Sequence, residues 1–152
     1  MQGRILAIDF GLRRVGVAVS DSLGLLAHDR ESLRYKSETE LLRRLCELAQ
    51  AEEVTTIVIG LPLHMDGREG EMAARVRRLQ ELLAAKLSMP VVLWDERFTS
   101  VQAERLLNER RIRFSRKKEE VDKLAAIFIL QSYLDRQRLQ KNLTQPPTIT
   151  EP

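Results

Sequence analysis

Three places in this chain put acids where acids are costly. Asp9 lies in the apolar run from Ile5 to Phe10, Asp95 and Glu96 close the run Val91-Val92-Leu93-Trp94, and Asp122 opens the apolar helical stretch from Leu124 to Leu134. An ionised carboxylate taken out of water is expensive unless it is paired or binds a cation. Acids that end strands or open a helix in this way therefore suggest a metal site. Asp122 has a second explanation, since an acid at a helix start also gains from the macrodipole.

The bulk numbers bound what such a site can belong to. With 152 residues the chain fits one domain, large enough to bury a core without disulfides. Hydrophobic residues make up 43% and charged residues 31%, a globular balance, and no apolar run approaches the roughly 20 residues that span a bilayer. Met1-Gln2-Gly3-Arg4 leads straight into a strand and lacks the features of a signal peptide, which predicts a cytoplasmic protein. The only cysteine, Cys46, shares a helical face with Leu42, Leu45 and Ala49 and reads as a core residue, and His28 and His64 form no ligand-spaced pair. Net charge is only +3, but Arg110, Arg111, Arg113, Arg116, Lys117 and Lys118 follow one another without an intervening acid. That segment is a candidate phosphate-binding patch, against the alternative of a solvated face.

The elements that must position these residues follow from periodicity. Ile5 to Phe10 and Val15 to Ser20 read as an antiparallel hairpin, with a third strand near Leu26 to Ser32. Ser37-Glu38-Thr39-Glu40 is a capping signature for a helix ending near Glu52. Thr56 to Gly60 suits a strand buried on both faces, followed by a loop from Leu61 to Gly70. A helix from Glu71 turns Met72, Val76, Leu79, Leu83 and Leu87 inward, and Pro90 precedes the strand Val91 to Asp95. Thr99 and Gln102 cap a helix to about Glu109; the basic segment then separates it from a last helix over about 120–140. The expected fold is α/β, a mixed five-stranded sheet with an antiparallel three-strand start and then two parallel strands, helices on both faces. Residues 1–140 would form one domain, and 141–152, with their prolines, a flexible tail. Asp9 and Asp95-Glu96 then share the rim at the carboxyl ends of the parallel strands. Positions 122, 126, 129 and 133 share a helical face, and small Ala125 and Ala126 let that helix lie close to the sheet.

Asp9-Phe10-Gly11-Leu12-Arg13-Arg14-Val15-Gly16-Val17-Ala18, Gly60-Leu61-Pro62-Leu63 with Met65-Asp66-Gly67, Asp95-Glu96-Arg97-Phe98-Thr99, and Val121-Asp122 before Ala125-Ala126 together resemble the YqgF/RuvX family. The motifs cover residues 4 to about 135 in order. The resemblance implies an RNase H-like fold related to the Holliday-junction resolvase RuvC, and a nuclease role in maturing the 5′ end of 16S ribosomal RNA precursor. It carries over Asp9, Glu96 and Asp122 as the catalytic acids. Leu12 stands where many members have Thr, and Lys123 where Ser is frequent; neither change removes a metal ligand.

Phosphodiester hydrolysis needs an activated water, charge neutralisation and help for the leaving oxygen, which two Mg²⁺ or Mn²⁺ ions roughly 4 Å apart can supply. Magnesium prefers oxygen ligands, so a few carboxylates suffice. Asp9 would be the central ligand, with Glu96 and Asp122 completing the set and Asp95 either a fourth ligand or a partner of Arg97. Arg13 and Arg14, with Arg97, are the candidates to hold phosphates near the cut, and Arg116, Lys117 and Lys118 to grip the backbone farther off. Aromatic residues are only 5%, so extensive base stacking is not expected. The implied partner is structured nucleic acid, pre-rRNA ahead of branched DNA, with no membrane, and the protein a monomer or weak homodimer. Junction resolution would require a dimer. Actin-like ATPases and sugar kinases also open with Asp-x-Gly, but need two copies of the fold and hence an internal repeat. A non-catalytic RNA-binding ribosome-assembly factor, whose acids only organise structure, is the remaining alternative.

Overall fold

In the computed structural model, residues 3–98 and 114–144 are described, with side chains over 3–97 and 124–143. The apolar runs become β1 (Arg4–Asp9), β2 (Arg14–Ser20), β3 (Ala27–Arg34), β4 (Val54–Leu61) and β5 (Val91–Asp95). The periodic stretches become α1 (Glu38–Ala51), α2 (Glu71–Lys86) and α3 (Phe114–Thr144). The five strands form one sheet in the order β3-β2-β1-β4-β5. β1 pairs antiparallel with β2, and β2 with β3, while β4 runs parallel to both β1 and β5. This is the expected mixed sheet.

Strand alternation sorts the core into two layers. Leu6, Ile8, Ile57 and Ile59 face α1 and α2 and meet Leu41, Leu45, Val76 and Leu83. Ile5, Ala7, Ala18 and Val58 face the other way and meet Ala126, Ile129, Leu130 and Leu134 of α3. Ala126 is fully buried, as its small size requires for a helix lying close to a sheet. At the β5 edge Trp94 packs edge-to-face on Tyr133, centroids 5.4 Å apart, and its Nε1–H donates to Ser132 Oγ at 3.2 Å.

Local signals explain most boundaries. Ser37 caps α1 by accepting the Glu40 N–H at 3.1 Å, and the Glu40 carboxylate accepts the Lys36 N–H at 3.2 Å. In α2 the buried face is Ala73, Val76, Leu79 and Leu83; Met72 and Leu87 are only half-buried, because the stripe begins one position later than the larger side chain suggested. The basic segment is not wholly a connector: α3 starts at Phe114, so Arg116, Lys117 and Lys118 lie in its first turns. Ser115 to Glu120 contains no glycine or proline, and its Arg, Lys and Glu are good helix formers, which outweighs their like charge. At the other end α3 continues through Thr144. The helix expected over 99–109, Arg110 to Arg113, and residues 145–152 lie outside the described residues.

Candidate functional site

The carboxyl ends of β1, β4 and β5 share one rim, with β4 in the middle. Alternation along β1 places Asp9 on the face of Ile5 and Ala7, the α3 face. Alternation along β4 places Gly60 on the same face as Val58. In β5 the parity is opposite: Trp94 faces α3, so Asp95 follows Val91 and Leu93 to the α1/α2 side. Glu96 begins the 3-10 turn Glu96–Phe98 and comes back over β4. Its carboxyl hydrogen-bonds to that of Asp9.

Gly60 makes this contact possible. A Cβ at that position would stand 2.5 Å from Glu96 Oε1 and 2.8 Å from Glu96 Cγ. The acid thus lies against bare backbone, where any other residue would fill the space. Burial raises the pKa of Glu96 above the ordinary glutamate value; the hydrogen bond with Asp9 pulls it back and the nearby charge of Asp95 pushes it up. Two carboxyls in contact in such surroundings favour either a shared proton or a cation.

Of the two roles left open for Asp95, the geometry is that of a partner for Arg97. Asp95 Oδ2 accepts Arg97 Nη2 at 2.7 Å and Nε at 3.0 Å, and Oδ1 accepts the Arg97 backbone N–H at 2.9 Å. That guanidinium holds the Asp95 carboxyl below the usual range. Arg97 Nη1 also donates to the Met65 carbonyl at 3.3 Å, tying the loop between β4 and α2 to the rim. The loop doubles back at Asp66-Gly67, as expected: Gly67 adopts φ +90, its N–H donates to the His64 carbonyl at 2.8 Å, and Asp66 accepts the Arg68 N–H at 3.0 Å.

On the other flank, the β1–β2 turn carries exposed Arg13 and half-buried Arg14 beside Asp9. Gly11 is required there, because a Cβ would run into the Arg14 carbonyl oxygen. Tyr35 Oη donates to the Gly11 carbonyl at 2.7 Å, pinning this turn to the end of β3. Neither Tyr35 nor the role of Gly60 was foreseen from the sequence; the usable signal was a glycine ending the β-branched run Thr56-Ile57-Val58-Ile59.

Asp122 lies in α3, one turn before Ala126, but its side chain, like those of Arg116, Lys117 and Lys118, is outside the described residues. Among the described residues no group of three His, Cys, Asp or Glu side chains surrounds a common point. The two acids that do meet, Asp9 and Glu96, are hard oxygen donors on a strand rim, a donor type that suits Mg²⁺ or Mn²⁺.

Comparison with known proteins places the chain in a family. The RuvX family, described as Holliday junction resolvase, matches residues 3–136. The chain belongs to the RuvX family. A relative from Koribacter versatilis, named "Putative pre-16S rRNA nuclease", is 40% identical over 141 residues, covering 93% of this chain and 92% of that protein. One of the same name from Agathobacter rectalis is 44% identical over 135 residues, covering 87% and 94%. Among solved structures, Thermus thermophilus RuvC in complex with a Holliday junction substrate superposes with TM-score 0.55 at 15% identity, over 90% of this chain and 96% of that one. The fowlpox virus Holliday junction resolvase gives 0.53 at 10% identity, over 88% and 99%. These likenesses establish the RuvC-type, RNase H-like fold of this RuvX member.

Proposed function

We propose that this RuvX member is a metal-dependent nuclease that hydrolyses phosphodiester bonds during 5′-end maturation of 16S ribosomal RNA precursor. The observation that carries the reading is the contact between Asp9 and Glu96 across Gly60, two acids far apart in sequence brought to one rim. The names of the relatives supply the substrate.

Asp9 and Glu96 would hold the metal, with Asp122 as the third carboxylate from α3. Two bound divalent cations would supply an activated water and neutralise the charge that builds on the phosphate. The chain's own contribution is placement. β1 and the 3-10 turn fix the two carboxyls, and Gly60 leaves the room that the Glu96 side chain occupies. Arg97, braced by Asp95, holds the β4–α2 loop at the edge of the site, where its remaining donor capacity serves a phosphate. Arg13 and Arg14 lie on the opposite flank for the same purpose, and Arg116, Lys117 and Lys118 serve the backbone farther from the cut.

The test is cleavage of a pre-16S RNA bearing its 5′ leader, with Mg²⁺ or Mn²⁺, by wild type and by Asp9→Asn. The expected result is metal-dependent cutting that the substitution lowers by more than about 100-fold, since even residues that merely orient metal ligands are worth 10- to 100-fold. No cutting by wild type, with Asp9→Asn behaving identically, would instead favour a non-catalytic RNA-binding factor; equal cutting by both would refute the role of Asp9. The family description favours a second reading, resolution of four-way DNA junctions. A junction substrate in the same assay separates the two, and symmetric junction cutting requires a dimer, visible by sedimentation.

A further inference from the structure

The charged surface next to the acid pair extends beyond the arginines of the β1–β2 turn. Arg14, first residue of β2, lies in register with Arg34, last residue of β3, and Arg34 is followed two positions on by Lys36. All three are at the same end of the sheet as Asp9, because β1 ends where β2 begins and β3 ends. The Tyr35–Gly11 hydrogen bond laces the two strand ends together, and Arg44 Nη1 donates to the Arg34 carbonyl from α1.

The side chains of Arg13, Arg34 and Lys36 are exposed, and among the described residues none of them pairs with a carboxylate. The two acids that follow Lys36 are already engaged: Glu38 pairs with Arg78 at 2.9 Å, and Glu40 caps the Lys36 backbone N–H. Basic groups elsewhere on the surface mostly have partners, as Arg30 with Glu52 and Arg43 with Glu47. Arg13, Arg34 and Lys36, three exposed cations without a carboxylate partner among the described residues, lie beside two acids that must receive a polyanion, and so are more than a solvated face.

We infer that the β2–β3 strand end, with Arg34 and Lys36 continuing the line of Arg13 and Arg14 and Arg44 behind them, is a second phosphate-binding track. It carries the sugar–phosphate backbone of the substrate strand away from the acid pair toward the β3 edge. The track rests on the nuclease reading above and adds to it a direction of travel. Its contacts are to phosphate, so they add affinity and alignment without sequence choice. Its position across the rim from Arg97 means the strand is held on both sides of the acids.

The experiment measures binding as a function of salt in an Asp9→Asn background, which removes cutting. The probes are a fluorescent single-stranded RNA leader and a four-way DNA junction, each tested with Arg34→Ala/Lys36→Ala and with Lys86→Ala, at the far end of α2. Removing one cation that neutralises a phosphate lowers the slope of log affinity against log salt by roughly 0.7 on single strands and roughly 0.9 on duplex DNA. The double variant should therefore flatten the slope by roughly 1.4 on RNA or roughly 1.8 on the junction, with Lys86→Ala unchanged and melting temperatures equal. The probe that responds identifies which backbone uses the track. Unchanged slopes on both probes, with wild-type protein still cutting RNA, would overturn the track and leave the nuclease reading standing. No binding of either probe and no cutting by wild type would overturn both.

Discussion

Replacing Gly60 by alanine adds a methyl group at the point where the candidate site is tightest. The new Cβ would meet Glu96 Oε1 at 2.5 Å, Glu96 Cγ at 2.8 Å and Ile129 Cδ1 at 2.6 Å. Gly60 is not among the residues with positive φ, so the backbone accepts alanine and the whole penalty is one of contact. Overpacking of this kind typically costs about 1–3 kcal/mol. At about 2–4 °C per kcal/mol for a chain of this size, melting should fall by roughly 2–12 °C. The effect on activity should be larger in kind, because relief requires Glu96 to swing off Asp9, and a displacement of about 1 Å at a reacting centre can cost about 100-fold. Two assays separate these effects: thermal melting, and RNA cleavage titrated with Mn²⁺. A second substitution sharpens the comparison. Ile129→Val deletes the Cδ1 atom that the new methyl strikes, so Gly60→Ala/Ile129→Val should melt higher than additivity of the two single variants gives, yet remain inactive. If Gly60→Ala cuts RNA at the wild-type rate with the same Mn²⁺ midpoint, the claim that bare backbone at position 60 holds the acid pair is wrong.

Glu96→Gln should abolish metal-dependent cutting while stabilising the metal-free protein at neutral pH. Burial raises the Glu96 carboxyl, so the folded state binds its proton more tightly than the unfolded chain does. The stability this gives is fully present below the unfolded value of about 4.3 and is lost as pH rises through the folded value. The melting difference between variant and wild type should therefore open between pH 4 and 7 in the variant's favour, and a difference constant over that range would refute the assignment. Glu52→Gln probes the other end of the sheet, where the carboxylate accepts Arg30 Nε at 2.6 Å and Arg4 Nη1 at 2.9 Å. Arg30 holds that carboxyl low, so its contribution is present above about pH 4.3 and lost as pH falls through the folded value. A loss of about 1–2 kcal/mol, seen as roughly 2–8 °C in melting at pH 7 and shrinking in acid, is expected with cleavage unchanged; a loss of cleavage would tie this cluster to the site.

Strand content and direction were legible because β1, β4 and β5 are dense in Val, Ile and Leu, and because helix crossovers oblige β4 and β5 to run parallel to β1. Asp9 was legible for the same reason, as an acid that breaks an aliphatic run. The choice between Asp95 and Glu96 was harder. Alternation sends Asp95 to the face of Leu93, but whether the next residue returns across β4 depends on a 3-10 turn whose path no two-residue period encodes. Tyr35 was invisible for a related reason: its value is one hydrogen bond to Gly11, 24 residues away, and a single tyrosine after a strand carries no pattern. The start of α3 was misjudged because a dense run of positive charge reads as linker, although its residues are individually good helix formers and its length of 31 residues leaves ample packing farther along to hold the first turns.

On the proposed nuclease reading, the sheet divides support from chemistry between its two faces. On the α1/α2 side, Asp95 spends its charge on Arg97, and Arg97 holds the Met65 carbonyl, so the β4–α2 loop has a fixed place at the rim. On the α3 side, Asp9 and Glu96 face each other over Gly60. One residue of sequence, from Asp95 to Glu96, changes both the face and the task. A conservative exchange at either position is therefore not equivalent. Losing the Asp95 carboxylate releases the arginine and the loop it holds, whereas losing the Glu96 carboxylate relieves a buried acid and removes an oxygen donor. That opposition in stability, together with a common loss of efficient cutting, follows from which side of the sheet each side chain leaves.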